Sequence, residues 1–196
     1  AIKRLRLFNH DTDAAMAEIR GIARPYLTNP NDALRTAACT LFGAMKDKVV
    51  VPDLIDILQN DSNWRISMQA ALSLGFIGDA RAFDALVAEL YRKPQRGYLG
   101  AMVAKALGYL GDQRATPHLL KFLAEAQEPR SRISYIDSLG LLKDPAAVKP
   151  LGEILIKDQS EMVQRAIIKA FESINDKSAI EYLQAFVNND SKSADL

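Results

Sequence analysis

The strongest constraint on this chain is an aspartate that recurs at a near-constant interval: Asp47, Asp79, Asp112, Asp144 and Asp176, spaced by 32, 33, 32 and 32 residues. The surrounding text repeats with it, as LFGAMKD, LGFIGDARA, LGYLGDQRA, LGLLKDPAA and FESINDKSA. Self-similarity at this period marks a repeat architecture, in which each unit buries its apolar face only against its neighbours. A chain of 196 residues holds about six such units. With 48% hydrophobic and 25% charged residues it can bury a continuous core and is not disordered by composition.

The unit spanning Asn63 to Tyr91 shows the local logic. Trp64-Arg65-Ile66 opens a first helix, A, whose apolar positions continue at Ala70, Ala71, Leu74 and Ile77. That spacing puts them on one stripe of a 3.6-residue helix. Gly78-Asp79 then breaks the helix, glycine suiting a left-handed cap and aspartate a turn or the cap of the next helix. Ala82, Phe83, Leu86, Val87 and Leu90 form the stripe of a second helix, B. Alignment on the aspartate brings out further columns. Phe42, Leu74, Leu107, Leu139 and Phe171 form one A-helix column; its neighbour reads Gly43, Gly75, Gly108, Gly140 and then Glu172. On helix B the columns read Leu54, Leu86, Leu119, Leu151, Leu183 and Leu58, Leu90, Leu123, Leu155, Val187. Pro52 and Pro117 share a place in the first turn of helix B, where a missing N–H costs little.

The expected fold is therefore all-α: a right-handed α-solenoid of antiparallel helix pairs, five full units of about 32 residues plus a partial N-terminal one. It forms one domain over 1–196, with units at 1–29 (partial), 30–60, 61–93, 94–126, 127–158 and 159–188, and a polar, fraying tail at 189–196. Residues 13–27 read as the B helix of the partial unit and 2–9 as a remnant of its A helix.

The text NDSNWRISMQAALSLGFIGDARAFDALVAEL resembles the HEAT-like repeats named after phycobilisome lyases, closely over 61–90, well over 96–123 and more weakly in the other units. The resemblance implies the solenoid fold and leaves function broad, since this family includes chromophore-handling subunits, an iron hydroxylase, DNA glycosylases and adaptor domains. The arginine usual in helix A is present as Arg35 and Arg132 but replaced by Ser67, Gly100 and Gln164, so an Asp–Arg ladder through the stack is expected to be patchy. The turns with Lys46, Lys143 and Asn175 in place of glycine need those residues to take the left-handed cap or a different geometry.

No reaction centre emerges. The two histidines, His10 and His118, are not followed by glutamate, which sets aside the iron-hydroxylase branch and leaves no metal site. Cys39 is the one cysteine, which excludes an intramolecular disulfide; its column of Ala71, Ala104, Ile136 and Ile168 places it in the core as an inert thiol. The five aspartates are read as caps of turns, and Trp64 as a wedge between units. The loop from Arg92 to Tyr98 is basic with an aromatic beside it and reads as a solvated connection. A formal net charge of +1 supplies no global attraction to nucleic acid or to an anionic membrane. With no long apolar stretch and no signal-peptide pattern, the expected location is cytoplasmic.

Charge sorted by face points to the B helices. On the assumption that they line the concave surface, Asp53, Asp56, Asp84, Glu89 and Glu153, with His118, Lys121, Phe122 and Tyr182, form a mildly acidic groove with apolar spots. That groove suits a basic or amphipathic protein segment and repels a phosphate backbone. The leading expectation is thus a non-enzymatic protein-binding scaffold with no cofactor and no catalytic residues. A second reading, carried by the resemblance, is a bilin lyase subunit or chromophore-handling factor, which requires a large apolar groove with Arg or Lys for the bilin's propionates. Nucleic-acid binding or repair is third.

Overall fold

The computed structural model describes the backbone of residues 2–92 and 97–194 and the side chains of residues 13–92 and 100–188. Within these, the A helices are α2 (Asp32–Met45), α4 (Trp64–Ile77), α6 (Gly97–Leu110), α8 (Pro129–Leu142) and α10 (Glu161–Ile174). The B helices are α3 (Val51–Asn60), α5 (Phe83–Arg92), α7 (Thr116–Glu125), α9 (Val148–Lys157) and α11 (Ala179–Ala194). A longer helix, α1 (Ile2–Ala23), followed by a 3-10 turn over Arg24–Thr28, precedes them. The expected break between an A remnant at 2–9 and a B helix from 13 is absent, because no glycine or proline interrupts that stretch before Gly21. Pro25 sits in the first turn of the 3-10 segment, where its ring is tolerated. The tail at 189–194, expected to fray, continues α11 as helix.

Each recurring aspartate acts as the turn's cap. Its carboxylate accepts the backbone N–H two residues on, at 2.9–3.0 Å: Val49, Arg81, Arg114, Ala146 and Ser178 in turn. In the first four, a 3-10 turn (Lys48–Val50, Ala80–Ala82, Gln113–Ala115, Pro145–Ala147) then feeds helix B. The residue before each aspartate is left-handed: Gly78 and Gly111 at φ 69° and 74°, and Lys46, Lys143 and Asn175 at 53–54°. The non-glycine turns thus keep the geometry and accept backbone strain.

The aligned columns are the core. Phe42, Leu74, Leu107 and Leu139 are fully buried, as are Leu54, Leu86, Leu119 and Leu151. Burying a side chain of this size is worth about 1.5–3 kcal/mol. The last unit departs from the rule: Leu183 is half-buried and Val187 is 63% exposed, because no further B helix packs on α11 among the described residues.

The two layers are built differently. Successive A helices touch along their lengths because small residues oppose one another: Gly43 on Ser73, Gly75 on Ala106, Gly108 on Ser138, Gly140 on Ala170. Ser73, fully buried there, donates to the Cys39 carbonyl at 2.7 Å and ties α4 to α2. The early and middle B helices meet through leucines and aromatics and stand further apart. Grooves of about 690 Å³ between α1 and α3 and 440 Å³ between α7 and α9 open in that layer. A stack with one short and one long layer bends toward the short one. The A helices therefore form the inner face, which corrects the expectation that the B helices line the concave surface.

Arginine–aspartate latches hold successive units where the sequence supplies them. Arg35 donates through Nε and Nη2 to Asp61 at 2.8 and 3.2 Å, and Arg132 pairs with Asp158. Arg20 makes a similar two-pronged contact with Asp47, at 2.6 and 3.1 Å, joining α1 to the first turn. Ser67 and Gln164 replace the arginine with weaker tethers to the Ile57 and Asp158 carbonyls. At Gly100 the place is taken from the other side, the Tyr135 hydroxyl lying 3.6 Å from where a Cβ would stand. The ladder is patchy, as its broken column implies.

Candidate functional site

The residues expected to form an acidic groove are all on the B-helix side, but they do not form one surface. Phe122 is 7% exposed, with its ring 5.0 Å from Tyr91 and 6.0 Å from Tyr135, and Glu89 is 9% exposed and paired with Arg92. Both belong to the interior, since the helix turn that carries them faces the neighbouring unit. Asp53 is half-buried and answered by Arg24 at 3.1 Å. His118 is half-buried with Nδ1 3.1 Å from the Tyr91 hydroxyl, and Lys121 places its ammonium 4.9 Å over the Tyr91 ring. The Tyr182 ring lies directly on Gly152. Asp56, Asp84 and Glu153 remain exposed, Glu153 at the rim of the α7–α9 groove beside Lys157.

The inner face carries a different pattern. The column three residues before each recurring aspartate reads Ala44, Phe76, Tyr109, Leu141, Ser173. Phe76 and Leu141 are 43% and 39% exposed, and the Phe76 and Tyr109 rings sit 4.6 Å apart, so these side chains form an apolar ridge across α4, α6 and α8. Beside it runs the column seven residues before the aspartate: Thr40, Leu72, Lys105, Asp137, Lys169. The two columns meet in a depression of about 240 Å³ lined by Lys105, Tyr109, Asp137, Leu141, Lys169 and Ser173, with Gly140 and Ala170 as its floor. The Lys105 ammonium lies 5.7 Å from the Tyr109 ring centre. Asp137 is exposed as a residue, but its carboxyl loses hydration in the depression; this raises its pKa, against the lowering pull of Lys169 and Lys105.

Two other candidates have defined surroundings. Cys39 is fully buried and its thiol is pushed up to about 12, chiefly by burial, so it offers no thiolate. Trp64 is half-buried at the start of α4 with the Arg65 guanidinium 4.9 Å above its ring. Most of the basic loop lies outside the described residues; Arg92, at its start, donates to the Gln59 carbonyl. The ridge has a sequence signal in Phe76, Tyr109 and Leu141, which stand at one register position of three successive A helices, although Ala44 and Ser173 end the run on either side.

A helix-pair solenoid of this construction is a HEAT-repeat protein, and the chain belongs to that family: residues 23–108 and 116–194 match HEAT repeats. Residues 101–125 also match the PBS lyase HEAT-like repeat. It is 33% identical over 116 residues to bilin biosynthesis protein PecE of Mastigocladus laminosus, covering 59% of this chain and 43% of that protein. It is 29% identical over 166 residues to phycocyanobilin lyase subunit alpha of Nostoc sp., covering 76% of this chain and 60% of that one. A chain in the solved complex of CpcE and CpcF of phycocyanin lyase from Nostoc sp. superposes with a TM-score of 0.63 at 20% identity, over 82% of this chain and 65% of that one, and shares the fold. This chain spans only about half the length of the curated relatives it matches. These similarities overturn the expectation of a non-enzymatic scaffold, because the matched proteins are named for bilin biosynthesis and phycocyanobilin lyase function. Among the described residues no helix is long and apolar enough to cross a membrane.

Proposed function

We propose that this chain is a bilin lyase subunit, or the HEAT-repeat part of one, that binds a linear tetrapyrrole and presents it for reaction. The observation that carries the reading is the inner face: an apolar ridge of Phe76, Tyr109 and Leu141 bordered by Lys105 and Lys169. A bilin is a flat conjugated chain with two propionates. It needs aromatic and aliphatic surface along its length and cations at its polar edge. The similarity to bilin-handling relatives supports the same reading. The contribution of this chain is binding and orientation, since its cysteine is buried and unreactive.

Action with a protein partner belongs to this proposal. The B-helix side, where Asp56, Asp84 and Glu153 are exposed, is the part we assign to a basic or amphipathic segment of that partner. Titrating phycocyanobilin with the purified chain tests the main claim. The expected result is a saturable change in the visible absorbance at micromolar protein; an unchanged spectrum overturns it.

A further inference from the structure

Resting on that reading, we infer that the depression between α6, α8 and α10 is where the carboxylates of the bilin are received, with Lys105 and Lys169 on either side of Asp137 as the residues that hold them.

The first argument is which cations are available. Arg20, Arg24, Arg35, Arg81, Arg92, Arg114, Arg132 and Arg165 each face a carboxylate within salt-bridge distance. None of the described lysines stands in such a pair; what sets Lys105 and Lys169 apart is that both line this depression and act on the charge of Asp137 without a salt bridge to it. The depression therefore holds two ammonium groups against one carboxylate, an excess of one positive charge at its rim. Both lysines are exposed, so their heads can reach a ligand without breaking a salt bridge, Lys105 moving only from its place by the Tyr109 ring.

The second argument is spacing. Lys105, Asp137 and Lys169 occupy the same column on three successive A helices, so the lysines stand two helix spacings apart, roughly 16–20 Å between axes at ordinary packing distances. Both side chains line the depression, together with Gly140 and Ala170. A ligand that carries two carboxylates on one scaffold, straddling Asp137, answers both lysines at once. Tyr109 and Leu141 form the same wall of the depression and lead onto Phe76, so the apolar body of the ligand lies along the ridge while its acid groups turn into the depression. Asp137 disfavours a polyanion and sets the two acid groups apart, which selects a dicarboxylate over a phosphate chain.

The test compares phycocyanobilin with its dimethyl ester on the wild-type chain and on K105Q, K169Q, K105Q/K169Q, D137N and K177Q. Lys177 is exposed in the turn after α10, is not among the residues that line the depression, and serves as the control. All sites are on the surface, and circular dichroism checks that helicity is kept. Each column lysine variant should weaken free-acid binding about tenfold, as losing a charge-assisted hydrogen bond does. D137N should tighten it and K177Q leave it unchanged. The ester should bind wild type as weakly as it binds the double variant. If the double variant binds the free acid as tightly as wild type, the carboxylate assignment is wrong while the bilin reading stands. If wild type shows no spectral change with either compound, both fall together.

Discussion

Gly75 of α4 faces the backbone of Ala106 in α6 so closely that a Cβ on Gly75 would stand 2.5 Å from the Ala106 carbonyl oxygen. This contact sets the spacing of the inner layer, and the same column at Gly43, Gly108 and Gly140 repeats it. Gly75→Ala should therefore destabilise the chain by about 1–3 kcal/mol, the usual effect of overpacking, despite the better helix propensity of alanine. Glu172 holds this column in α10 and is exposed, so Glu172→Ala should change stability by less than about 0.5 kcal/mol. Thermal melts of the two variants separate packing from propensity.

The Arg35–Asp61 latch is 13% and 6% exposed at its two side chains. Removing Arg35 leaves the Asp61 carboxylate with reduced hydration and no cation, and removing Asp61 leaves Arg35 with only the exposed Asp32 carboxylate, at 2.7 Å, as its ion-pair partner. Arg35→Met and Asp61→Asn should each lower stability by about 1.5–3 kcal/mol, and the double variant by less than their sum. Urea unfolding of the four proteins checks the coupling.

Lys143 holds the left-handed cap of α8 at φ 53°. A non-glycine residue there pays about 1–2 kcal/mol of steric strain, part of which is offset by its lower entropy when unfolded. Lys143→Gly should raise stability by about 0.5–1 kcal/mol, whereas Gly78→Ala, at φ 69°, should lower it. A shift of the two melting temperatures in the same direction contradicts this account.

The Arg81 guanidinium, followed by the Arg81 backbone N–H, holds the Asp79 carboxyl down at about 2, below its ordinary 3.8. Asp112 and Asp176 are shifted the same way by Arg114 and Ser178. A carboxylate whose pKa is lowered by folding stabilises the native state above its unfolded value and ceases to do so as pH falls through the folded one. The urea midpoint should therefore fall between about pH 4 and pH 2. Asp79→Asn, which keeps an oxygen for the cap but removes the charge, should flatten that limb.

Cys39 should not react with a thiol reagent at pH 8 in the native chain, because burial drives its thiol up to about 12. Full labelling should appear only on unfolding. Native labelling at the rate of an exposed thiol would place it outside the core.

Much of the architecture could be read from the chain before any coordinates. The 32–33-residue period, the leucine columns and the Gly-Asp punctuation are local, since each unit meets nearly the same neighbours. The capping role of the five aspartates and the burial of Cys39 followed from register alone. Glu89 and Phe122 were misplaced because a one-position error in assigning a helical face turns a side chain by about 100°.

The sequence by itself determined the helix pair, its repetition, its turns and the columns that pack. Only the tertiary structure decided which layer lies inside the bend, because curvature depends on the difference between two interhelix spacings. Small residues set one of those spacings, between Gly75 and Ala106; leucines and aromatics set the other. With the A helices inside, Phe76, Tyr109 and Leu141 line up with Lys105, Asp137 and Lys169, drawn from separate units into one surface.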